Sequence, residues 1–400
     1  MHSQELLLLF DSVRRHAEIA IIYSGDPDDS KHVLYRSVNP RNWKSYKDVA
    51  GNIASALMSL GFKKIHLMEE GAGLAAELKK KRIQYAWLNT AGVQGFDAVG
   101  HCAALLQSLG IPYVGHLPLQ TALMDDKEIF KQFLTGAGFR TAPFVTWHPR
   151  QNGSPQSKEM FYQKLNNILP WHSGKCVVKP ASGRASQHVY VANKPAEVLE
   201  LVQHVYSETG NKVLIEQFLS GKEYCISVMG SLIQEDSSQG PNWMTRHQSP
   251  FCFGQFERVL DKDSDIFTSM DVRPISKNVV HFLDPIHNGK VIRELNHIAK
   301  SIYTRLGLHG LIRLDLRMDA AGRMHVLEAN PKPDLKAPEQ GVSSLVAMGI
   351  EQIGLDYNEL IRQLFLQSLD YQLSYTVVPT QLSWMHGEIE AQWRKRKALL

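Results

Sequence analysis

The stretch from Leu311 to Pro331 limits the fold of this chain more than any other. Residues 311–318 read Leu-Ile-Arg-Leu-Asp-Leu-Arg-Met, alternating polar and apolar, the pattern of a strand with one packed face. Asp319-Ala320-Ala321-Gly322 supplies a turn, and Arg323 to Pro331 reads as a returning strand. Folding the two about the turn sets Asp315 nearly opposite Glu328. Asn330 shares the face of Glu328, because side chains alternate with period two. Two carboxylates and an amide oxygen therefore converge beside Arg313. Hard divalent cations take such oxygen ligands, and Mg2+ commonly bridges a few of them to nucleotide phosphates. A surface hairpin with scattered acids would carry the same letters, so the rest of the chain has to decide.

Composition narrows the choice. At 400 residues the chain is long enough for two or three domains. Its 44% hydrophobic and 21% charged content is that of a globular protein, and its net charge of +4 is slight. The basic clusters Lys79-Lys80-Lys81-Arg82 and Arg394-Lys395-Arg396-Lys397 read as solvated helix ends, so no nucleic-acid partner is expected. The four cysteines, Cys102, Cys176, Cys225 and Cys252, lie too far apart for metal-ligand spacing and read as buried thiols. None of the 17 histidines forms a metal-type pair. The run Leu6 to Phe10 is too short to span a bilayer and has no basic region before it. It reads as an amphipathic helix packed on the body, and a cytoplasmic protein without a membrane partner is expected.

From residue 19 to about 115, short apolar strands alternate with helices, as in a parallel α/β sheet. Strands are expected at 19–23, 64–68, 85–89 and 111–114, with helices at 49–60, 74–80 and 98–109. A helix over 122–134 follows. Next come strands at 175–180 and 189–192, a helix after Pro195, and strands at 212–219 and 223–229 joined at Ser220-Gly221. A long helix over 290–306 leads into the hairpin, and helices near 341–348 and 357–369 end the pattern. Residues 237–273 read unclearly, with strands and mobile loops the best fit, and nothing after Tyr371 carries a recognisable motif.

Lys179 closes the strand Cys176-Val177-Val178-Lys179-Pro180, and the small residues Ala181, Ser182, Gly183 and Ser186 come next. Such a loop lets backbone amides approach phosphates, and the lysine would add a point charge. Alone, Lys179 reads equally well as a strand-end lysine reaching for solvent. In Ile215-Glu216-Gln217-Phe218-Leu219, an apolar hinge with free backbone groups suits an adenine edge, and Glu223 could accept from ribose hydroxyls. Lys127, at a helix start, is unremarkable in isolation.

In this order the pieces resemble the ATP-grasp enzymes of the D-alanine–D-alanine ligase-like branch. They are the Asp126-Lys127 helix, Gly138-Phe139-Arg140-Thr141-Ala142-Pro143, the Val-Val-Lys-Pro strand, Glu216 to Glu223, and the Arg-x-Asp…Glu-x-Asn-Pro hairpin. Leu109 to Gly115 also matches, so the resemblance spans about residues 85 to 370. It implies an α/β and α+β architecture: an N-terminal Rossmann-like domain over 1–120, a central lid over 121–222, a C-terminal α+β domain over 223–370 with the metal site, and an extension over 371–400. ATP would lie between the last two full domains. The resemblance implies Lys127 and Lys179 on the phosphates, with Ser182, Gly183 and Ser186 in the covering loop. Glu216 would take the adenine amino group, with Gln217, Phe218 and Leu219 along the hinge and Glu223 on the ribose. Lys262 is a further phosphate ligand on a looser match. Asp315, Glu328 and Asn330 would hold two Mg2+ ions, with Mn2+ as a substitute, and Arg313 would steady the transferred phosphoryl group.

The expected activity is an ATP-dependent ligase that joins a small-molecule carboxylate to an amino acid through an acyl phosphate. Two other outcomes stay open: imine formation on a phosphorylated enolised carbonyl, as in mycosporine-like amino acid ligases, and a non-catalytic nucleotide-binding module. Ligases of this type are often homodimers. The chain departs from the D-alanyl-D-alanine enzymes in two places. Tyr23 to Ser30 lacks their Gly-rich, Glu-containing loop, and Asp334 and Glu339 stand where they place Gly and, roughly, Ser. Acids there disfavour a second acidic substrate group.

Overall fold

The strand Ile19–Tyr23 (β1) is buried at every position, as a parallel strand covered on both faces should be. It sits inside the four-stranded parallel sheet β2-β1-β3-β4, formed with Ile65–Glu69 (β2), Tyr85–Asn89 (β3) and Tyr113–Val114 (β4). The computed structural model describes residues 3–26, 45–95, 97–148, 155–168, 174–183, 186–235, 244–246, 250–259, 279–339 and 343–374. Ser3–His16 (α1) buries Leu6, Leu9, Phe10 and Val13, one stripe at helical spacing, against one face of this sheet. Lys47–Ser59 (α2) shares that face, while Leu74–Lys80 (α3) and His101–Ser108 (α4) cover the other.

Pro118–Asp125 (α5) and Lys127–Gly136 (α6) replace the single helix expected over 122–134. Asp126 breaks it. Its backbone is extended (ψ 107°), and its side chain accepts from the amides of Glu128 and Ile129, capping the second helix. The next unit is an antiparallel sheet of order β5-β8-β6-β7. Its strands are Phe144–Trp147 (β5), Cys176–Pro180 (β6), Tyr190–Ala192 (β7) and Val213–Gln217 (β8), covered by Pro155–Ile168 (α7) and Pro195–Thr209 (α8). No strand was expected at β5, whose four residues carry only a brief alternation.

The third sheet has the order β13-β12-β9-β14-β15, all antiparallel. It comprises Glu223–Met229 (β9), Phe251–Arg258 (β12), Val280–Phe282 (β13), Ile312–Met318 (β14) and Met324–Asn330 (β15), and a small ribbon of Ile233–Glu235 (β10) with Met244–Arg246 (β11) stands apart. Gly289–Arg305 (α9) and α6 pack on this sheet through Leu295, Ala299, Ile302, Phe130 and Leu134. Leu345–Gln352 (α10) begins four residues after the expected start at 341. It crosses β12 where Gly349 meets Gly254, and a Cβ at Gly349 would lie 2.7 Å from the Gly254 Cα, so only glycine allows the approach.

Tyr357–Ser374 (α11) runs past residue 370, where an extension was expected to begin. It joins the first and third sheets. Phe365 is fully buried, and its ring centroid lies 4.8 Å from that of Tyr85, 4.9 Å from Phe62 and 6.0 Å from Phe10. Ser368 exchanges a 2.6 Å hydrogen bond with the Tyr85 hydroxyl and donates to the Tyr113 carbonyl at 2.7 Å. No helix among the described residues is long and apolar enough to cross a membrane. Phe365→Ala is expected to lower stability by about 3–5 kcal/mol, because the rings around it are held by three separate elements and cannot close the void. A urea titration followed by far-UV circular dichroism measures the loss.

Candidate active site

Asp315 and Glu328 are register partners across β14 and β15, and Arg313 faces Asn330 two rungs away. The register slips just after Asp315, where Leu316 pairs with Val326 and Leu327 is the extra residue. A bulge here bends the hairpin beside its acids. The turn is fixed by Asp319, whose carboxylate accepts from the amides of Ala321 and Arg323.

These strands form one wall of a cavity of about 830 Å3, counting its open mouth. Lys127, Lys179, Gly183, Ser186, Glu216, Gln217, Phe218, Leu219, Glu223, Asp315 and Glu328 all line it. Eleven of the residues singled out in the sequence therefore meet in one place, from two sheets and the α6 start. Ser182 does not line it. It bridges to Asp126, and its hydroxyl and carbonyl accept from the Asn211 amide. Arg313 and Asn330 sit just outside the wall, and Lys262 lies outside the described residues.

Lys127 is buried rather than solvated. Its amide donates to the Ala181 carbonyl at 2.8 Å, and its Nζ donates to the Gly183 carbonyl at 2.7 Å and stands 3.4 Å from Glu328 Oε2. One residue thus holds the small-residue loop against the β14–β15 hairpin. Glu216 is held by two ammonium groups. Lys179 donates to its Oε1, and the fully buried Lys131 places Nζ 2.9 Å from its Oε2. That second contact is an ion pair outside hydrogen-bond geometry, and Oε2 accepts no hydrogen bond among the described residues. Burial alone would raise the Glu216 carboxyl. The two ammonium groups outweigh it, and its pKa falls to about 2.

Asp315 is enclosed by arginines. Arg313 donates Nε to Oδ1 at 2.8 Å and Nη2 to Oδ2 at 3.0 Å, while Arg258 Nη1 donates to Oδ2 at 3.2 Å. Arg258 also donates to Glu223 at 3.1 Å. Burial pushes both acids up. At Asp315 the two guanidinium groups reverse the direction; at Glu223, where Asp315 adds like charge, the carboxyl stays above its ordinary value. Arg317 lies over the Phe218 ring at 4.8 Å, joining the hinge to β14.

Lys131, Arg258 and Arg317 escaped the sequence. Arg317 had a signal, since it follows Asp315 by two residues on the same strand face. Lys131 follows Lys127 by one helical turn, a weaker hint. Arg258 lies in the stretch that read unclearly, and only pairing with β9, which sets it opposite Glu223, reveals it.

The donor set suits a nucleotide with a hard cation. Every candidate metal donor is oxygen. Asp315 Oδ1 receives one hydrogen bond and keeps a second lone pair. Asn330 Nδ2 is buried with no hydrogen-bond partner among the described residues, so its amide is not committed elsewhere through that atom. Among the described residues no cluster of three or more His, Cys, Asp or Glu could hold a metal.

Comparison with known proteins places the chain in a family. The family model described as D-ala D-ala ligase C-terminus matches residues 133–366. A D-alanine–D-alanine ligase of Marinomonas sp. is 23% identical over 80% of this chain and 89% of its own length. One from Gloeobacter violaceus is 24% identical over 80% and 92%. Among solved structures, the D-alanine–D-alanine ligase of Bacillus anthracis complexed with ATP superposes with a TM-score of 0.62 at 17% identity, covering 89% of this chain and 98% of that one. D-alanyl-alanine synthetase A of Vibrio cholerae gives 0.60 at 15% identity, over 88% and 98%.

The Glu216 trio makes a measurable link to pH. A carboxyl whose folded pKa lies below its ordinary value near 4.5 adds stability that is complete above about pH 4.5 and is lost as pH falls towards about 2. Glu216→Gln is expected to be less stable at neutral pH by about 3–5 kcal/mol, because two buried ammonium groups lose their counter-ion. Its stability should also fall less steeply below pH 4.5 than that of the parent, as read from urea midpoints at several pH values.

Proposed function

Because this chain belongs to the D-ala D-ala ligase C-terminal family of ATP-grasp proteins, we propose that it is an ATP-dependent ligase joining a carboxylate to an amine. The observation that carries the proposal is the meeting of Lys127, Lys179, Glu216, Glu223, Asp315 and Glu328 around one cavity. In this proposal Glu216 Oε2 accepts from the adenine amino group, and the backbone of Gln217, Phe218 and Leu219 borders the base. Glu223 holds the ribose, and Lys127, Lys179 and the Gly183 to Ser186 loop hold the phosphates. Residues 1–120, 121–222 and 223–370 form the three working parts, and the site works in the cytoplasm, in a homodimer.

A carboxylate is a poor electrophile because its oxygen leaves badly. Transfer of the γ-phosphoryl group makes an acyl phosphate, whose phosphate leaves readily. That transfer needs positioning and neutralisation of charge more than covalent help. Lys127, Lys179 and Arg313 supply fixed positive charge, and Arg313 is itself oriented by its paired hydrogen bonds to Asp315. Asp315, Glu328 and Asn330 would hold Mg2+, which when bound would neutralise phosphate charge and orient the polyphosphate. The amine then attacks, the oxyanion forms beside Arg313, and the products are an amide, ADP and phosphate. Lys127, tied to both the loop and the hairpin, would keep the lid closed against water.

The acids where D-alanyl-D-alanine enzymes carry Gly and Ser argue for a different amine. Asp334 caps its own turn by accepting from the Lys336 amide at 3.1 Å, and Glu339 is exposed. Glu328→Ala is expected to abolish ATP-dependent phosphate release with pooled amino acids while shifting the melting temperature by only a few degrees, roughly, since Glu328 is not part of the core. Release equal to that of the parent would overturn the metal assignment. A parent that binds nucleotide yet releases no phosphate with any amino acid would be a binding module.

A further inference from the structure

One rung of the third sheet crosses three strands. Glu223 on β9 pairs with Arg258 on β12 at one side and with Arg317 on β14 at the other, and all three residues line the cavity. Arg258 reaches that place through a slip in register. Phe253 faces Ser227 but Phe256 faces Cys225, so β12 carries one extra residue between them, beside Gly254 at φ 61°. Had the pairing run on unbroken, Glu257 would stand opposite Glu223, acid against acid. The bulge puts an arginine there instead.

A single nitrogen of that arginine holds two acids. Arg258 Nη1 donates to Glu223 Oε1 at 3.1 Å and to Asp315 Oδ2 at 3.2 Å, which uses both of its hydrogens. The two carboxylates repel each other, and the buried guanidinium between them fixes where each one sits. On its other side, Glu223 Oε2 stands 3.7 Å from Arg317 Nη1, an ion pair too long for a hydrogen bond. Arg317 is anchored in turn, since its Nε donates to the Gly221 carbonyl at 3.2 Å. Oε2 accepts no hydrogen bond among the described residues, and it is not one of the orphan polar atoms sealed inside the protein. One carboxylate oxygen is therefore pinned, and the other keeps its lone pairs for a donor arriving in the cavity that Glu223 lines.

A fixed acceptor discriminates against a ligand that lacks the matching donor, because the acceptor loses water and gains nothing in return. A carboxylate free to turn aside discriminates far less. We propose that Arg258 is a positioning residue for nucleotide recognition: by pinning Glu223 Oε1 and standing between Glu223 and Asp315, it aims the other carboxylate oxygen at the ribose and sets the preference for a nucleotide that carries its ribose hydroxyls. Arg258 acts through Glu223 and touches no reacting group. The proposal rests on the ligase reading in one respect, that it takes the cavity as the nucleotide site with the ribose at Glu223.

The experiment measures binding apart from turnover. Calorimetry on the full chain compares ADP with 2′,3′-dideoxy-ADP, in EDTA and again in excess Mg2+. ADP is expected to bind at least about tenfold more tightly, the difference made by hydrogen bonds to a charged acceptor. Arg258→Met should bring the two nucleotides within about twofold, with ADP losing more than the dideoxy form. Arg258→Gln is the second variant, with the same expectation, and melting curves report whether each folds. A role on the phosphates, at Asp315 or in the fold alone weakens both nucleotides alike, so a lower affinity with an unchanged ratio overturns the proposal. Equal affinity of the parent for the two, or binding of neither under both conditions, overturns it as well. Glu223→Gln should also collapse the ratio, and adding Arg258→Met to it should change the ratio no further; a second, additive fall means that Arg258 does not act through Glu223 and overturns the proposal. Phosphate release from MgATP with pooled amino acids is measured on the parent. A ratio that collapses in the variants, with no phosphate released, keeps the positioning role and overturns the ligase reading. Phosphate release with an unchanged ratio does the reverse.

Discussion

The pairing of β14 with β15 is the constraint on which the site depends. One register sets Asp315 against Glu328 and Arg313 against Asn330, and a one-residue slip of β15 would turn Glu328 and Asn330 to the face opposite Asp315 and Arg313. Three features hold that register. The apolar positions Ile312, Leu314 and Leu316 are fully buried against α9 and its neighbours. Asp319 closes the turn with its own side chain. β9 pairs along the far side of β14 from Ile312 to Arg317. From outside the sheet, Thr141 adds a hydrogen bond to the Val326 carbonyl at 2.8 Å and Val326 donates its amide to the Arg140 carbonyl at 2.9 Å.

The charged residues of the hairpin meet others from α6, β6, β8, β9 and β12 around the cavity. Lys127, Lys131, Lys179, Arg258, Arg313 and Arg317 stand among Glu216, Glu223, Asp315 and Glu328, so cations outnumber carboxylates. Isolated buried ions would be untenable, and pairing in chains makes each tolerable. Buried ion pairs add little to net stability compared with packed apolar side chains. Their presence here makes more sense as preorganisation: an excess of fixed positive charge suits a polyphosphate, and arginines locked by carboxylates need not reorganise when charge moves.

What the sequence shows of this arrangement depends on range. Alternation along 312–318 and 324–330 is a local signal and placed the acids correctly as strand partners. The apolar runs at 19–23 and 85–89 likewise announced a parallel sheet. The break at Asp126 was hidden because 122–134 keeps helical spacing through it, and only the capping hydrogen bonds reveal the new helix start. Lys131 was hidden for a related reason. A lysine between Phe130 and Leu134 looks solvated until Glu216, 85 positions later in the chain, arrives beside it. Arg258 depends on β12 finding β9, a pairing no local pattern announces. Residues that meet partners from another element are illegible one element at a time.

The same reasoning explains why a second cavity, lined by Leu88, Val114, His116, His309 and Pro331, is visible only in three dimensions. His116 and His309 lie 193 positions apart, and neither has a neighbour in sequence that hints at chemistry. They meet because β4 ends where β14 begins, and α11 brings Tyr371 to stack on the second ring. The Tyr85–Ser368 and Ser368–Tyr113 hydrogen bonds hold that helix to the ends of the parallel strands. The first sheet therefore shapes one wall of the second cavity, while the hairpin shapes the other and ends at the first cavity.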